Sequence, residues 1–269
     1  MDRLQYDLFA EIDRLHWWFR ARRQIARVML RQLCTGAQPS ILDIGTGSGG
    51  MIEVLSEYGR LTTFEPDSQQ MEITAEKYRH SHPAVQFITA ERGLDSLAPE
   101  SFDLVTAFDV LEHCSDHTET LLQWSNLLKP NGRMLITVPA FPSLWGANDE
   151  LSHHYRRYTK ATLTEAFTGA GLNPSKISYI NAFSFIPVWL SRKIKEPVDK
   201  LLNPNRTAPW DFSVPSAPIN LFLEHAFACE KYVLPHVDLP IGTSLVAIAT
   251  RSPISSKTPS SVGALARSK

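Results

Sequence analysis

The stretch Ile41–Gly50, ILDIGTGSGG, decides how this chain is read. An apolar run passes through one acid, Asp43, and then breaks into glycines at 45, 47, 49 and 50. That is a strand running into a tight turn. Glycine reaches backbone conformations closed to other residues, so such a turn lets a large polar ligand approach the main chain.

Outward from the turn, strands and helices alternate. SILDIG is a strand and SGGMIEVLSEYG a helix closed by Gly59; RLTTFE is the next strand. DSQQMEITAEKYRH reads as a helix with Asp67 and Gln70 placed as a capping box. AVQFIT and SFDLVTAFD are strands, DHTETLLQWSNLLK is a helix stopped by Pro130 and Gly132, and GRMLITVP is a strand. Alternation of this kind implies a parallel sheet covered on both faces, with ligands at the carboxyl ends of the strands near the point where strand order reverses. Upstream, Tyr6, Phe9, Ile12, Ile25, Val28 and Met29 mark the first thirty-odd residues as helix. Downstream, 141–158 is an aromatic and basic loop, TKATLTEAFTGAG a helix, and SKISYINAF and GTSLVAIATR are closing strands. Residues 184–240 are rich in proline and aromatics, with a helix near INLFLEHAFACEKYV. The expected organisation is one domain over 1–251: a helical lid (1–35), a ligand-binding core (39–140) and an acceptor-side cover (141–251). A disordered tail is expected over 252–269.

The chain has 269 residues, 43% hydrophobic and 20% charged, with a net charge of −1. This is enough for one full core and gives no global drive towards nucleic acid or anionic lipid. Cys34, Cys114 and Cys229 are far apart and form no disulfide framework, which suits a reducing compartment. MDRLQYDLFAEIDR lacks the apolar core of a signal peptide, and no apolar run reaches the roughly 20 residues of a membrane span. A cytoplasmic location is expected, with weak surface association with a membrane the most that the apolar segments suggest.

Two ligands compete for the glycine turn. Gly45, Gly47 and Gly50 satisfy the spacing of a dinucleotide site, and Glu65 lies about 20 residues on, where an acid would hold a ribose. An NAD(P)-dependent oxidoreductase is therefore admissible. Asp43 tips the balance: a pyrophosphate wants positive potential, and a carboxylate opposes it. S-adenosylmethionine carries an ammonium, a sulfonium and no phosphate, so an acid beside its turn is favourable.

DIGTGSG (Asp43–Gly49) matches D/E-x-G-x-G-x-G at every fixed position, and the chain here resembles the class I S-adenosylmethionine-dependent methyltransferases. The resemblance implies a doubly wound, Rossmann-like, seven-stranded α/β sheet, mostly parallel with one antiparallel strand near the edge. It places Asp43, Gly45, Thr46, Gly47 and Gly49 at the cofactor. In TTFEPD, Glu65 with Pro66 stands where the family's acid holds the ribose hydroxyls. ITAER puts Glu91 and Arg92 where the family's adenine-contacting loop usually reads GD, a departure that leaves that contact less defined. SFDLVTAFDVLEH is similar to the fourth-strand motif, in which Asp109 and Val110 would line the cofactor. HWWFRARRQ, DELSHHYRRYTKATL and LPIGTSLVAIATR extend the similarity to bacterial small-molecule members, which implies a small-molecule or lipid-like acceptor methylated at oxygen, nitrogen or carbon.

Methyl transfer from a sulfonium needs alignment and exclusion of water more than an unusual catalyst. Trp18, with Trp17 and Phe19, reads either as core packing or as an aromatic face over the sulfonium, and Arg23 as a partner for the cofactor carboxylate. His153, His154, Tyr155 and Arg157 form the densest polar group: His154 is the candidate base and the others acceptor contacts, against the alternative of a structural corner. Trp189, within FSFIPVWLSRKIK, is read as part of an apolar roof over the acceptor. His113 and His117, near Glu112 and Asp116, are explained by an exposed helix start, and no metal is expected. A non-catalytic S-adenosylmethionine-binding scaffold stays open. A nucleic-acid methyltransferase is disfavoured by the neutral charge and the lack of an Asn/Asp-Pro-Pro-Tyr/Phe motif.

Overall fold

The computed structural model describes residues 3–35, 37–195, 198 and 213–251. Strands β1 (Ser40–Ile44), β2 (Arg60–Phe64), β3 (Gln86–Ile88), β4 (Phe102–Phe108), β5 (Leu128–Pro139), β6 (Leu172–Ile180) and β7 (Ser244–Arg251) make one sheet in the order β3-β2-β1-β4-β5-β7-β6. The first five are parallel; β7 runs antiparallel to both neighbours. This is the expected Rossmann-like fold, with the antiparallel strand one place in from the edge. Strand order reverses between β1 and β4, so the glycine turn opens at the switch point.

Alternation along each strand divides the core in two. Leu42 and Ile44 of β1, Met134, Ile136 and Val138 of β5 and Leu245, Ala247 and Ala249 of β7 face one side. There they meet Leu121 and Trp124 of α5 (His117–Leu127) and Leu163 and Phe167 of α7 (Lys160–Gly169). Ile41, Leu61, Leu104, Leu135, Val246 and Ile248 face the other side, against Ala21, Ile25 and Met29 of the N-terminal region and Phe227 of a late helix, Ala217–Ala228.

Several elements differ from the sequence reading, each for a local reason. The single N-terminal helix is two, α1 (Arg3–Leu15) and α2 (Trp17–Leu33), because His16 is extended (φ −71°, ψ 135°) and its Nδ1 accepts the Trp18 N–H at 3.2 Å, capping α2. The helix after the glycine turn, α3, covers only Ile52–Ser56. In α4 (Ser68–Tyr78) Asp67 caps the Gln70 N–H at 3.0 Å, but the Gln70 side chain turns to Thr74 instead of completing the box. β5 starts before Pro130: the pairing slips between Phe102 and Leu104, and a bulge absorbs the proline and Gly132. The loop 141–158 holds a short helix, α6 (Ala147–Leu151). Beyond β6 come α8 (Phe185–Leu190) and α9, the helix Ala217–Ala228. Residues 196–197 and 199–212 of the expected cover, and the tail 252–269, lie outside the described residues. No helix among the described residues is long and apolar enough to cross a membrane.

Candidate functional site

The glycine turn is built for close approach. Gly45, Gly47 and Gly49 all have positive φ (72°, 52° and 82°), where a side chain would strain the backbone. A Cβ on Gly45 would overlap Val110, and one on Gly49 would overlap Tyr78. At Gly47 nothing lies within 4 Å of that position, so the turn is open there.

Two carboxylates flank the opening. Asp43, in register with Thr63 on one side and Thr106 on the other, is buried, and its Oδ1 accepts the Thr106 hydroxyl at 2.7 Å. Burial pushes its carboxyl up to about 7, against the pull of that hydroxyl. Glu65 Oε2 accepts the Gly47 N–H at 2.9 Å and Oε1 accepts the Asp67 N–H at 3.3 Å. Burial raises its pKa too, in spite of those two bonds. Glu91, Arg92 and Pro66 are exposed at the same end of the sheet; the Glu91 carboxylate accepts the Ser68 hydroxyl at 2.7 Å, which lowers its pKa.

The N-terminal helices engage the turn through Asp13, which sequence reasoning passed over. Asp13 Oδ2 accepts the Ser48 hydroxyl at 2.7 Å and stands where a Cβ on Gly50 would be. That close approach is why the fourth residue of the cluster is glycine. Arg23, expected at the cofactor, instead donates to Asp13 Oδ1 and the Asp13 carbonyl, both at 3.0 Å. Arg22 takes the inward path: its guanidinium lies over the Trp18 ring (4.1 Å to the centroid) and binds both Asp109 and the Thr137 hydroxyl. A signal was available, since Trp18, Arg22 and buried Ala26 recur at helical spacing and Arg23 does not share that stripe. Trp18 is thus partly buried against Phe19 and Arg22. Asp109 itself has φ 55°, a costly conformation for aspartate, held by Arg22 and by Thr137, whose hydroxyl donates to it at 3.1 Å.

In the loop after β5, Asp149 gathers His154 and Arg157. Its Oδ1 accepts from His154 Nδ1 at 2.9 Å and from Arg157 Nε at 2.8 Å, and its Oδ2 accepts the Gly146 N–H at 2.9 Å. Burial would raise the Asp149 pKa; His154 and Arg157 outweigh it and hold the carboxyl below its ordinary value. Tyr158 is buried, bonded to His117 at 3.1 Å and to the Leu111 carbonyl at 3.3 Å, so it ties this loop to the end of β4. The side chains of His153 and Tyr155 are exposed, Tyr155 by 60%, and of the two residues Tyr155 joins that tie through its backbone, its N–H donating to the Glu112 carbonyl at 2.8 Å. The His154 ring meets that of His113 edge-on, with centroids 4.7 Å apart. Trp189 on α8 is 42% exposed; its neighbour Phe185 is the aromatic that packs inward, on Phe141, which stacks on Tyr179. Phe183 turns the other way, to Trp17 and Phe227.

Chemically, the arrangement offers a turn able to admit a cationic, hydroxyl-bearing ligand beside one buried and one half-buried acid. His113, three residues along from Val110, meets the ring of His154, which Asp149 orients. Such a cradle fits the amino acid and ribose portions of S-adenosylmethionine.

A family profile described as a methyltransferase domain matches residues 11–176. The malonyl-[acyl-carrier protein] O-methyltransferase of Halalkalibacterium halodurans is 36% identical over 106 residues, 37% of this chain and 38% of that protein. A ubiquinone biosynthesis O-methyltransferase of Xanthomonas euvesicatoria is 27% identical over 154 residues, 51% of this chain and 64% of that one. The aligned part of the chain thus spans less than two thirds of either relative's length. Among solved structures, geranyl diphosphate C-methyltransferase from Streptomyces coelicolor superimposes with a TM-score of 0.55 at 14% identity, covering 84% of this chain and 78% of that one, which is a likeness of fold.

Proposed function

The chain belongs to the class I S-adenosylmethionine-dependent methyltransferases, and on that premise we propose that it transfers a methyl group from S-adenosylmethionine to a small-molecule acceptor with an apolar body. The observation that carries the reading is the pair of carboxylates at the glycine turn. The Gly47 N–H, which a dinucleotide's pyrophosphate would need, already donates to Glu65, and Asp43 lies buried beneath. The helix that follows has only five residues and so offers little dipole to a phosphate. An ammonium and two ribose hydroxyls suit this cradle; a diphosphate does not.

Bound S-adenosylmethionine supplies an electrophilic methyl group on a sulfonium, displaced in line by the acceptor. The chain's own residues align and shield. Glu65 accepts from the ribose hydroxyls while keeping its bond to Gly47, and Asp43 contributes negative potential to the ammonium. Arg22 and Asp109 fix the floor of the lid, and Trp18 gives it an aromatic face. On the acceptor side His154, oriented by Asp149, receives a proton from an acceptor that must lose one. Phe141 and Phe185 supply apolar contact, with exposed Ile186, Trp189 and Leu190 of α8 at the rim. The relatives act, by name, on malonyl-[acyl-carrier protein] and in ubiquinone biosynthesis as O-methyltransferases, which favours an oxygen acceptor.

The test has two arms. Calorimetry with S-adenosylhomocysteine and with NAD(H) should show binding of the first only. Incubation with fractionated small-molecule and lipid extracts should yield a product heavier by one methylene. Tight NAD(H) binding would overturn the proposal. So would S-adenosylhomocysteine binding without turnover on any fraction, which would leave the scaffold reading.

A further inference from the structure

Glu112 is the anomaly of this site. It is completely buried, and among the described residues neither carboxyl oxygen has a hydrogen-bond partner. Its two acidic neighbours are matched, Asp109 by Arg22 and Asp149 by Arg157. Among the described residues no cation forms an ion pair with Glu112; Arg22 and Arg157, which act on it from a distance, are paired with Asp109 and Asp149. A buried carboxyl without a partner is costly and persists where something else completes it. His113 and His154 stand beside it, and one ligand atom from each of the three lies within 4.8 Å of the others.

We propose that Glu112, His113 and His154 bind a divalent transition-metal ion whose open position faces the acceptor. The orientation of His154 is that of a metal ligand. Its Nδ1 is held by Asp149, itself held by Arg157 and the Gly146 N–H, which leaves Nε2 for the ion. A carboxylate behind a ligating imidazole is the usual way a protein aims one and raises its basicity. The His113 and His154 rings cross at 81° instead of stacking, so both edges can converge on one point. Two imidazoles and one carboxylate suit zinc, cobalt, iron or manganese; magnesium and calcium prefer all-oxygen sets. Three protein ligands leave a position open, as in catalytic zinc sites.

The ion's place follows from chain continuity: Val110 packs on Gly45 of the cofactor turn, and Glu112 and His113 come next but one. The ion itself stands on these side chains alone, whereas its role rests on the methyltransferase reading above. An acceptor hydroxyl on the ion becomes acidic enough to release its proton to solvent near neutral pH. The resulting oxygen bonds to the methyl group as the methyl–sulfur bond breaks, its electron pair returning to sulfur. With the ion bound, His154 is a ligand and the acidity it would otherwise provoke comes from the metal. The preferred substrate class is then an acceptor with a hydroxyl, or a hydroxyl beside a second oxygen, able to reach the ion.

The test is titration of the metal-stripped full chain with Co2+, read by visible absorbance. One equivalent should saturate and give d–d bands, Zn2+ should displace it, and excess Mg2+ should not. His113→Gln and His154→Gln should abolish the bands. Asp149→Asn should weaken binding by about 10–100-fold while S-adenosylhomocysteine affinity, measured by calorimetry, stays near the parent's. Absence of bands at stoichiometric Co2+, or bands surviving in the double variant His113→Gln/His154→Gln, would overturn the site. If Co2+ binds as described but S-adenosylhomocysteine does not, the metal site stands and the methyltransferase reading falls.

Discussion

Arg22 of α2 and Asp109, the first residue after β4, pair across 87 positions of sequence, and the same guanidinium reaches Thr137 at the end of β5. One side chain thus fastens α2 to two neighbouring strands at the switch point. It also offsets the charge of an aspartate held at positive φ.

Removing that cation leaves Asp109 without its charge partner. Arg22→Ala should destabilise the fold by about 1.5–3 kcal/mol, the range for a charged hydrogen bond, and weaken S-adenosylmethionine binding with it. Arg23→Ala, which breaks only the contacts to Asp13 and Arg14 within the lid, should do less to cofactor affinity. Denaturant melts and calorimetry on the two variants check the order; equal effects on cofactor affinity would contradict it.

The Asp43 carboxyl has a pKa of about 7 in the folded protein against an ordinary 3.8, so the folded state holds this proton more tightly than the unfolded chain. Its contribution is complete below the unfolded value and is lost as pH rises through 7, at up to about 1.4 kcal/mol per pH unit in between. Asp43→Asn should flatten that part of the stability curve, measured by denaturant melts without cofactor. In the parent protein, affinity for S-adenosylmethionine should rise as Asp43 ionises around neutral pH, and the variant should lose that rise.

Glu65 both pins the Gly47 N–H and faces the proposed ribose site. Glu65→Ala should weaken S-adenosylhomocysteine binding by about 1.5–3 kcal/mol. A ligand lacking the ribose hydroxyls should lose much less, as calorimetry with both ligands would reveal.

At Gly50 a Cβ would collide with the Asp13 carboxylate, while Gly47 has free space but a left-handed backbone. Gly47→Ala should therefore cost about 1–2 kcal/mol of backbone strain and leave α1 seated. Gly50→Ala should unseat α1, seen as lost amide-exchange protection in Arg3–Leu15, with the sheet unaffected.

His154, in the loop after β5, lies on the proposed acceptor side, and among the described residues no hydrogen bond joins it to the glycine turn. His154→Gln should keep S-adenosylmethionine affinity and reduce turnover sharply, whether the histidine acts as base or as ligand. Single-turnover assays with the identified acceptor measure this.

By itself the sequence determined the sheet, the place of its glycine turn and the two acids beside it. Each of these depends on neighbours within a few positions: apolar alternation marks β1, and positive φ at 45, 47 and 49 demands glycine. Seven strands, one of them antiparallel near the edge, were what the resemblance carried by those same motifs implied; their order came from the structure. What only the tertiary structure decided are contacts between distant segments. Helical spacing sets Arg22 apart from Arg23, but that Arg22 reaches Asp109 and Thr137 is decided only once α2 docks its buried stripe of Ala21, Ile25 and Met29 on the sheet. Asp13 reaches Ser48 because His16 breaks the N-terminal helix, a cap that composition does not advertise. The grouping of Glu112 and His113 with His154 arises because Tyr158 and the Tyr155 N–H tie the loop after β5 to the loop after β4, and no spacing rule along the chain encodes that closure.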